Sequence, residues 1–166
     1  MPIPEDLAAI ARQETELHFS SFDYDTAWRL GQSLRELALS RNQSLVIDIR
    51  RFGRPHQPLF YSALAGTTPD NPRWVQRKSN VVARFHRSSY AIGLALEQTS
   101  RTFSERYNLP DADYAAHGGS FPIHVTGAGI IGCITVSGLP QREDHNLVIE
   151  ALCLELKQNH DSLRLR

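Results

Sequence analysis

The stretch from 121 to 136 constrains the fold more than any other. Two β-branched, apolar runs, 121–125 and 130–136, flank Thr126-Gly127-Ala128-Gly129. Glycines that accept positive φ between two strand-like runs are the signature of a tight hairpin. A second pair of runs, 45–50 and 59–64, is separated by a short polar segment, 51–55, with Pro58 at the mouth of the later strand, where a missing donor does least harm. Two hairpins separated by helical segments imply an antiparallel sheet covered by helices. They do not imply a doubly wound parallel sheet. The predicted class is α+β, with strands 45–50, 59–64, 121–125 and 130–136 in one mainly antiparallel sheet.

Between the hairpins the apolar period changes to that of helices. Residues 5–16 predict a short polar helix. A firmer one begins after Asp23 or Asp25, with Ala27, Leu30, Leu34, Leu37 and Ala38 on its buried face. Asp70-Asn71-Pro72 predicts a helix start with an Asx cap, running to about 87. Ser88-Ser89 caps another helix carrying Ile92, Leu96 and Phe103, which stops before Leu109-Pro110. Ser137-Gly138-Leu139-Pro140 turns the chain into a last helix with Leu147, Val148, Ala151 and Leu152 inward, and the tail from His160 is expected to fray.

At 166 residues without repeats or long linkers, 1–166 reads as a single domain. Its 18 basic and 18 acidic side chains cancel, so no overall field steers it toward nucleic acid or an anionic membrane. No apolar stretch approaches the roughly 20 residues that span a bilayer. The opening Met1-Pro2-Ile3-Pro4-Glu5-Asp6 lacks the pattern of a secretion signal. Cys133 and Cys153 are too few for a disulfide scaffold. A cytoplasmic protein is expected, with no nucleic-acid or membrane partner.

Three polar features interrupt this scaffold. Lys78 lies four residues after Trp74, three after Val75 and four before Val82, inside the apolar stripe of its helix. Such a lysine either snorkels to a structural partner or presents its ammonium to an enclosed ligand, because an unpaired buried charge is very costly. Arg77 beside it would add a forked donor for a carboxylate or phosphate. His117-Gly118-Gly119-Ser120 enters the first strand of the second hairpin. Its glycines permit close backbone approach, and His117 is either an acid–base or ligand group or a hydrogen-bonding loop residue. At the third feature, Ser137 and Gly138 begin the turn into the last helix, while Glu143 and Asp144 read as charges suited to the helix start. His145 falls near the inward face, as a ligand or a satisfied core histidine. No His-Glu-x-x-His, Cys-x-x-Cys, Cys-x-x-Cys-His or Gly-x-Ser-x-Gly pattern is present, so no metal site is expected.

Taken in order, these segments resemble one family. Trp74-Val75-Gln76-Arg77-Lys78-Ser79-Asn80 with Phe85 and Ser88-Ser89 looks like its central helix. His117 to Ile123, then Gly127, Gly129, Ile131-Gly132 and 134–138, looks like its glycine-rich hairpin. Gln141 to His145 looks like the start of its last helix. The family is the haem-degrading-domain family, which includes an extracellular haem-binding sensor and a protein of glycolate-utilisation operons. The chain is most similar to a cytoplasmic branch. The resemblance covers nearly the whole chain and implies a profilin-like fold, homo-oligomerisation, and haem as a candidate cofactor.

Two functional readings stay open. One is a small-molecule-binding protein, whether enzyme or not, for which an anionic metabolite suits Arg77 and Lys78, and haem suits Trp74, Phe85 and a histidine. The other is a homo-oligomeric interaction protein whose polar cleft is structural. The candidate ligand-binding residues are Trp74, Arg77, Lys78, His117, Gly118, Gly119, Ser120, Ser137, Gly138 and His145. Lys78, His117 and Ser137 or Gly138 are expected to border one concavity.

Overall fold

A computed structural model describes residues 2–166. The chain begins with α1 (Ile3–Glu16) and a two-residue β1 (His18–Phe19), then α2 (Tyr24–Ser40). The start of α2 is closed by a capping box: Asp23 accepts from the Thr26 N–H at 2.7 Å while Thr26 answers the Asp23 N–H. The first hairpin is β2 (Val46–Arg51) with β3 (Gln57–Ala63). Helices α3 (Asp70–Phe85), α4 (Ser89–Gln98) and α5 (Phe103–Tyr107) follow. The second hairpin is β4 (Ser120–Val125) with β5 (Gly129–Ser137), and α6 (Gln141–Leu156) and α7 (His160–Leu163) end the chain.

The two hairpins join in one five-stranded sheet, ordered β1-β4-β5-β2-β3. β5 pairs antiparallel with β4 on one side and with β2 on the other, and β2 pairs antiparallel with β3. The expected antiparallel α+β sheet is therefore present. Strand alternation gives it two different faces. Leu45, Ile47, Ile49, Phe121, Ile123, Ile134 and Val136 point toward α2 and α6 and form the main core with Leu30, Leu34, Leu147, Val148 and Leu152. The opposite face carries Asp48, Arg50, Ser120, Cys133 and Thr135 and is covered by α3. This face is polar but satisfied: Arg50 forks onto Asp48 at 2.6 and 3.0 Å, and Ser120 meets Thr135 at 2.8 Å. Burial pushes the Cys133 thiol up to about 12 and the Cys153 thiol up to about 11, so both sulfurs are inert packing groups.

Five local features depart from expectation. β1 adds a parallel pair beside β4, with His18 opposite His124, a strand too short to show a period. Pro58 lies within β3, which it can because β3 is an edge strand, rather than at its mouth. The predicted single helix after Ser88 is two. Ser88 caps α4, the chain breaks after Gln98, and Thr102 and Glu105 form a new capping box for α5. The tail does not fray. α7 places Leu163 in the main core, and Leu165 packs with Ile10, Tyr90 and Leu94. At α3, Pro69 holds the cap position without a side-chain bond. Asn71 instead accepts from the Thr68 N–H and donates to the Ser137 carbonyl.

His145 is a core group. Its Nε2–H donates to Gln13 Oε1 at 2.8 Å, and Gln13 in turn donates to the Leu163 carbonyl. Nδ1 has no partner among the described residues. Burial, reinforced by Arg142, pushes its pKa down from 6.5 to about 3. A depressed folded-state pKa stabilises above the unfolded value and is lost as pH falls. Stability should therefore decline through the window from about 6.5 to about 3, with His145 supplying about 1.4 kcal/mol per pH unit. Urea unfolding at a series of pH values should give His145→Gln a slope shallower by that amount; identical slopes would show that His145 is not buried neutral.

Candidate functional site

The site begins with Lys78, one of two lysines in a chain that carries 16 arginines. Lys78 is 3% exposed and its partner Asp144 is 1% exposed. Nζ donates to Asp144 Oδ2 at 2.8 Å and to the Val136 carbonyl at 3.1 Å. Asp144 also accepts from the Leu139 N–H at 3.0 Å through Oδ1. α3 lies on one face of the sheet and α6 on the other, so the pair ties the two layers together around the end of β5. Asp144 is thus not merely a helix-start charge suited to the dipole. Its place in the first turn of α6, immediately after the β5 turn, aims it across the sheet end at α3.

Glycines make room for this contact. Gly119 has φ +128, and a Cβ there would stand 2.6 Å from Lys78 Nζ and 2.5 Å from the Val136 oxygen. A Cβ on Gly118 would meet the Gln141 carbonyl at 2.0 Å. The paired glycines let β4 and α6 close over the ammonium. Burial lowers the Lys78 pKa and raises that of Asp144, in each case against the attraction of the other partner. Desolvation thus works against both charges, as expected for a buried pair with few supporting bonds.

Above the pair opens a cavity of about 340 Å³, lined by Trp74, Lys78 and Asp144, by Ser137, Gly138, Leu139 and Gln141, by Thr68, Asp70 and Asn71, and by His117. Trp74 is held by an indole N–H bond to Asp70 at 3.0 Å, and its ring meets His117 edge-on with centroids 5.3 Å apart. The His117 ring is exposed at the mouth yet walled by Trp74. Its partial desolvation, then Lys78 and Arg77, lowers its pKa and favours the neutral imidazole.

The structure brings Trp74, Lys78, His117, Ser137 and Gly138 around one concavity. Arg77 turns away: its Nε–H donates to the Asp111 carbonyl at 2.9 Å, and its guanidinium lies 4.7 Å from the Trp74 ring centroid. Gly118, Gly119 and Ser120 lie behind the wall. Ser120 is buried and bonded to Ser89 and Thr135. His145 does not reach the cavity, because its ring faces Gln13, Tyr90 and Phe121. Phe85 packs with Phe103 and Tyr107, apart from the cavity. Asp144, Gln141, Asp70, Asn71 and Thr68 were not singled out as lining groups from sequence. The one available signal was Lys78 itself, whose burial demands a carboxylate.

A family model described as "Haem degrading protein HbpS-like" matches residues 22–153. A UPF0303 protein of Acidobacterium capsulatum is 59% identical over 153 residues, covering 92% of this chain and 91% of that protein. The crystal structure of Ybr137w superposes with TM-score 0.83 at 28% identity, covering 95% of this chain and 90% of that one. A PduOC:Heme complex shares the fold at TM-score 0.67 and 13% identity, over 80% of this chain and 94% of that one. The chain belongs to the haem-degrading HbpS-like family and has its profilin-like fold.

The pair's energetics can be measured directly. Lys78→Met leaves a carboxylate buried without its cation and should destabilise by roughly 3–5 kcal/mol. The double change Lys78→Met with Asp144→Leu removes both desolvated charges but strands the Leu139 N–H, a loss of about 1–3 kcal/mol. Chemical denaturation should therefore place the double variant nearer to wild type than Lys78→Met. Additive losses would show that the two groups do not act as a pair.

Proposed function

We propose that this member of the HbpS-like family binds a small, oxygen-bearing molecule in the cavity above Lys78 and Asp144. The reading is carried by the convergence on one concavity of a buried ammonium, a neutral imidazole and an indole face. The volume, about 340 Å³, is at the small end of the range for small-molecule sites, about 300 to 1,000 Å³. Of the three ammonium hydrogens two are engaged, and among the described residues no other acceptor bonds Lys78. A ligand carbonyl, carboxylate or hydroxyl oxygen supplies the missing acceptor, while Trp74 covers its apolar part.

Charge narrows the class. Asp144 cancels Lys78, Asp70 adds a further negative charge, and Arg77 is committed elsewhere. The cavity therefore offers no net attraction to a polyanion, and a neutral or singly charged ligand suits it best.

Family membership brings haem into consideration, and one structural neighbour is a haem complex. The residues here do not fit a sunken haem. A porphyrin needs two apolar faces, whereas this cavity is walled by Asn71, Gln141, Ser137 and the ion pair. Phe85, expected to stack on haem, lies apart from it.

Self-association of this chain is the second part of the proposal. β3 is one of the two outer strands of the sheet, and Tyr24, Trp28 and Tyr61 are all more than half exposed beside it or on it. Unpaired edges with aromatic flanks favour association with a second copy. Sedimentation should show an oligomer that Trp28→Glu weakens; a monomer at all concentrations would overturn this reading.

Ligand binding is tested by thermal unfolding with a panel of small hydroxy, keto and aldehyde compounds. A true ligand at 100 times its Kd adds about 2.7 kcal/mol, and the gain should vanish in Trp74→Ala and His117→Ala. Haemin should give no saturable Soret band that depends on His117. If no compound stabilises, and haemin binds one-to-one in a manner lost in His117→Ala, the small-ligand reading fails.

A further inference from the structure

Arginine supplies nearly every cation of this chain, in the surface ion pairs of Arg12, Arg29 and Arg41 and in the more buried pairs of Arg142 with Asp6 and Arg50 with Asp48. The buried cation at the cavity floor is nevertheless a lysine. A guanidinium would offer more bonds for an ion pair, but it stays charged and is a poor nucleophile, whereas an ammonium can lose a proton and become an amine. Lys78 has the surroundings that such a role needs: an acceptor for its proton, Asp144 Oδ2 at 2.8 Å, and an opening, since both groups border the cavity. Its opposite number Lys157 closes α6 as a solvent-side cap in the left-handed region.

We propose that Lys78 captures the carbonyl group of a small aldehyde or ketone as an imine, with Asp144 as the proton relay. This deepens the proposed small-molecule site and rests on it. The Lys78 ammonium passes one proton to Asp144, and the nitrogen lone pair forms a C–N bond to the carbonyl carbon. The oxygen takes up a proton from the nitrogen, giving a neutral carbinolamine. Asp144 returns its proton as the C–O bond breaks, so the oxygen leaves as water and a protonated imine remains. One ammonium and one carbonyl become one iminium and one water, with no oxidant or reductant. Burial, which lowers the Lys78 pKa, favours the free amine, and the retained carboxylate faces the iminium with the opposite charge. His117 at the mouth, its pKa lowered by desolvation and then by Lys78 and Arg77, is placed to exchange protons with the departing water.

The chain as it exists provides the test, because it has one other lysine. Propanal and pyruvate are used as probes with sodium cyanoborohydride at neutral pH, which reduces an imine to a stable amine, and the peptides carrying Lys78 and Lys157 are quantified by mass spectrometry. Lys78 should be labelled at least tenfold faster than Lys157 by one of the probes, and the preference should disappear in urea. Labelling confined to Lys157 and the amino terminus, or equal rates at the two lysines, overturns the proposal. Asp144→Asn should slow labelling at Lys78 by at least tenfold; where that variant does not fold, the wild-type rate ratio alone decides. Reversible thermal stabilisation by a carbonyl probe without labelling at Lys78 would leave the binding site standing and remove the imine.

Discussion

The contact on which this architecture turns is the one between Lys78 and Asp144. A profilin-like sheet with helices on both faces has a main core on one side and a polar, α3-covered face on the other. This pair joins the two layers around the sheet's end at 2.8 Å with almost no solvent contact. Its net contribution is small as a free energy of folding, because two desolvated charges offset most of their own attraction. Its contribution to specificity is larger. The pair requires Gly119 without a side chain, the Val136 carbonyl as second acceptor and the Leu139 N–H on the carboxylate, so each neighbour's position is fixed by the others.

Much of the fold was legible because its signals are local. Thr126-Gly127-Ala128-Gly129 makes a hairpin of the strands beside it regardless of what lies elsewhere, and Asp23 or Ser88 caps a helix from within its own first turn. The errors arose where a neighbour distant in sequence decides. β1 is a strand only because β4 lies alongside. The tail is ordered because Leu163 and Leu165 find pockets, and because Asn146 exchanges bonds with the backbone of Leu165. The break between α4 and α5 is signalled by the capping-box spacing of Thr102 and Glu105, while the apolar spacing of Ile92, Leu96 and Phe103 favours one continuous helix.

The site divides along the same line. Lys78 was conspicuous because it breaks a helical stripe, and His117 and Ser137 because glycines flank them. Their convergence at one end of the sheet follows from strand pairing: β4 and β5 run antiparallel, so the entry to β4 and the exit from β5 are neighbours, with Ser120 opposite Thr135. Asp144 was hidden by a sufficient local explanation. An acid in the first turn of a helix satisfies the dipole and calls for no partner, so nothing in the α6 sequence asked for a lysine 66 residues earlier. The demand ran the other way, from the buried cation to an unnamed carboxylate. Arg77 and His145 show the converse hazard, since polar side chains near a cleft in sequence were claimed by a loop carbonyl and by Gln13.

The same geometry explains why a shared fold does not require a shared ligand. In this chain two glycine-bearing turns approach the central helix at one end of the sheet. What enters there depends on the groups that close the opening. In this chain α6 and α3 close it with opposite charges, an indole pinned by Asp70 and a neutral imidazole. A porphyrin would have to displace Trp74 or remain at the mouth, and a polyanion would meet Asp70 and Asp144 before any free cation. A small carbonyl-bearing molecule would meet no such opposition: its apolar end would lie against the indole, its oxygen would accept the third Lys78 hydrogen, and no buried group would lose a partner. The physical argument for a compact, weakly charged ligand is thus the same one that keeps the ion pair intact. Any ligand that drew Asp144 away from Lys78 would itself have to neutralise two buried charges.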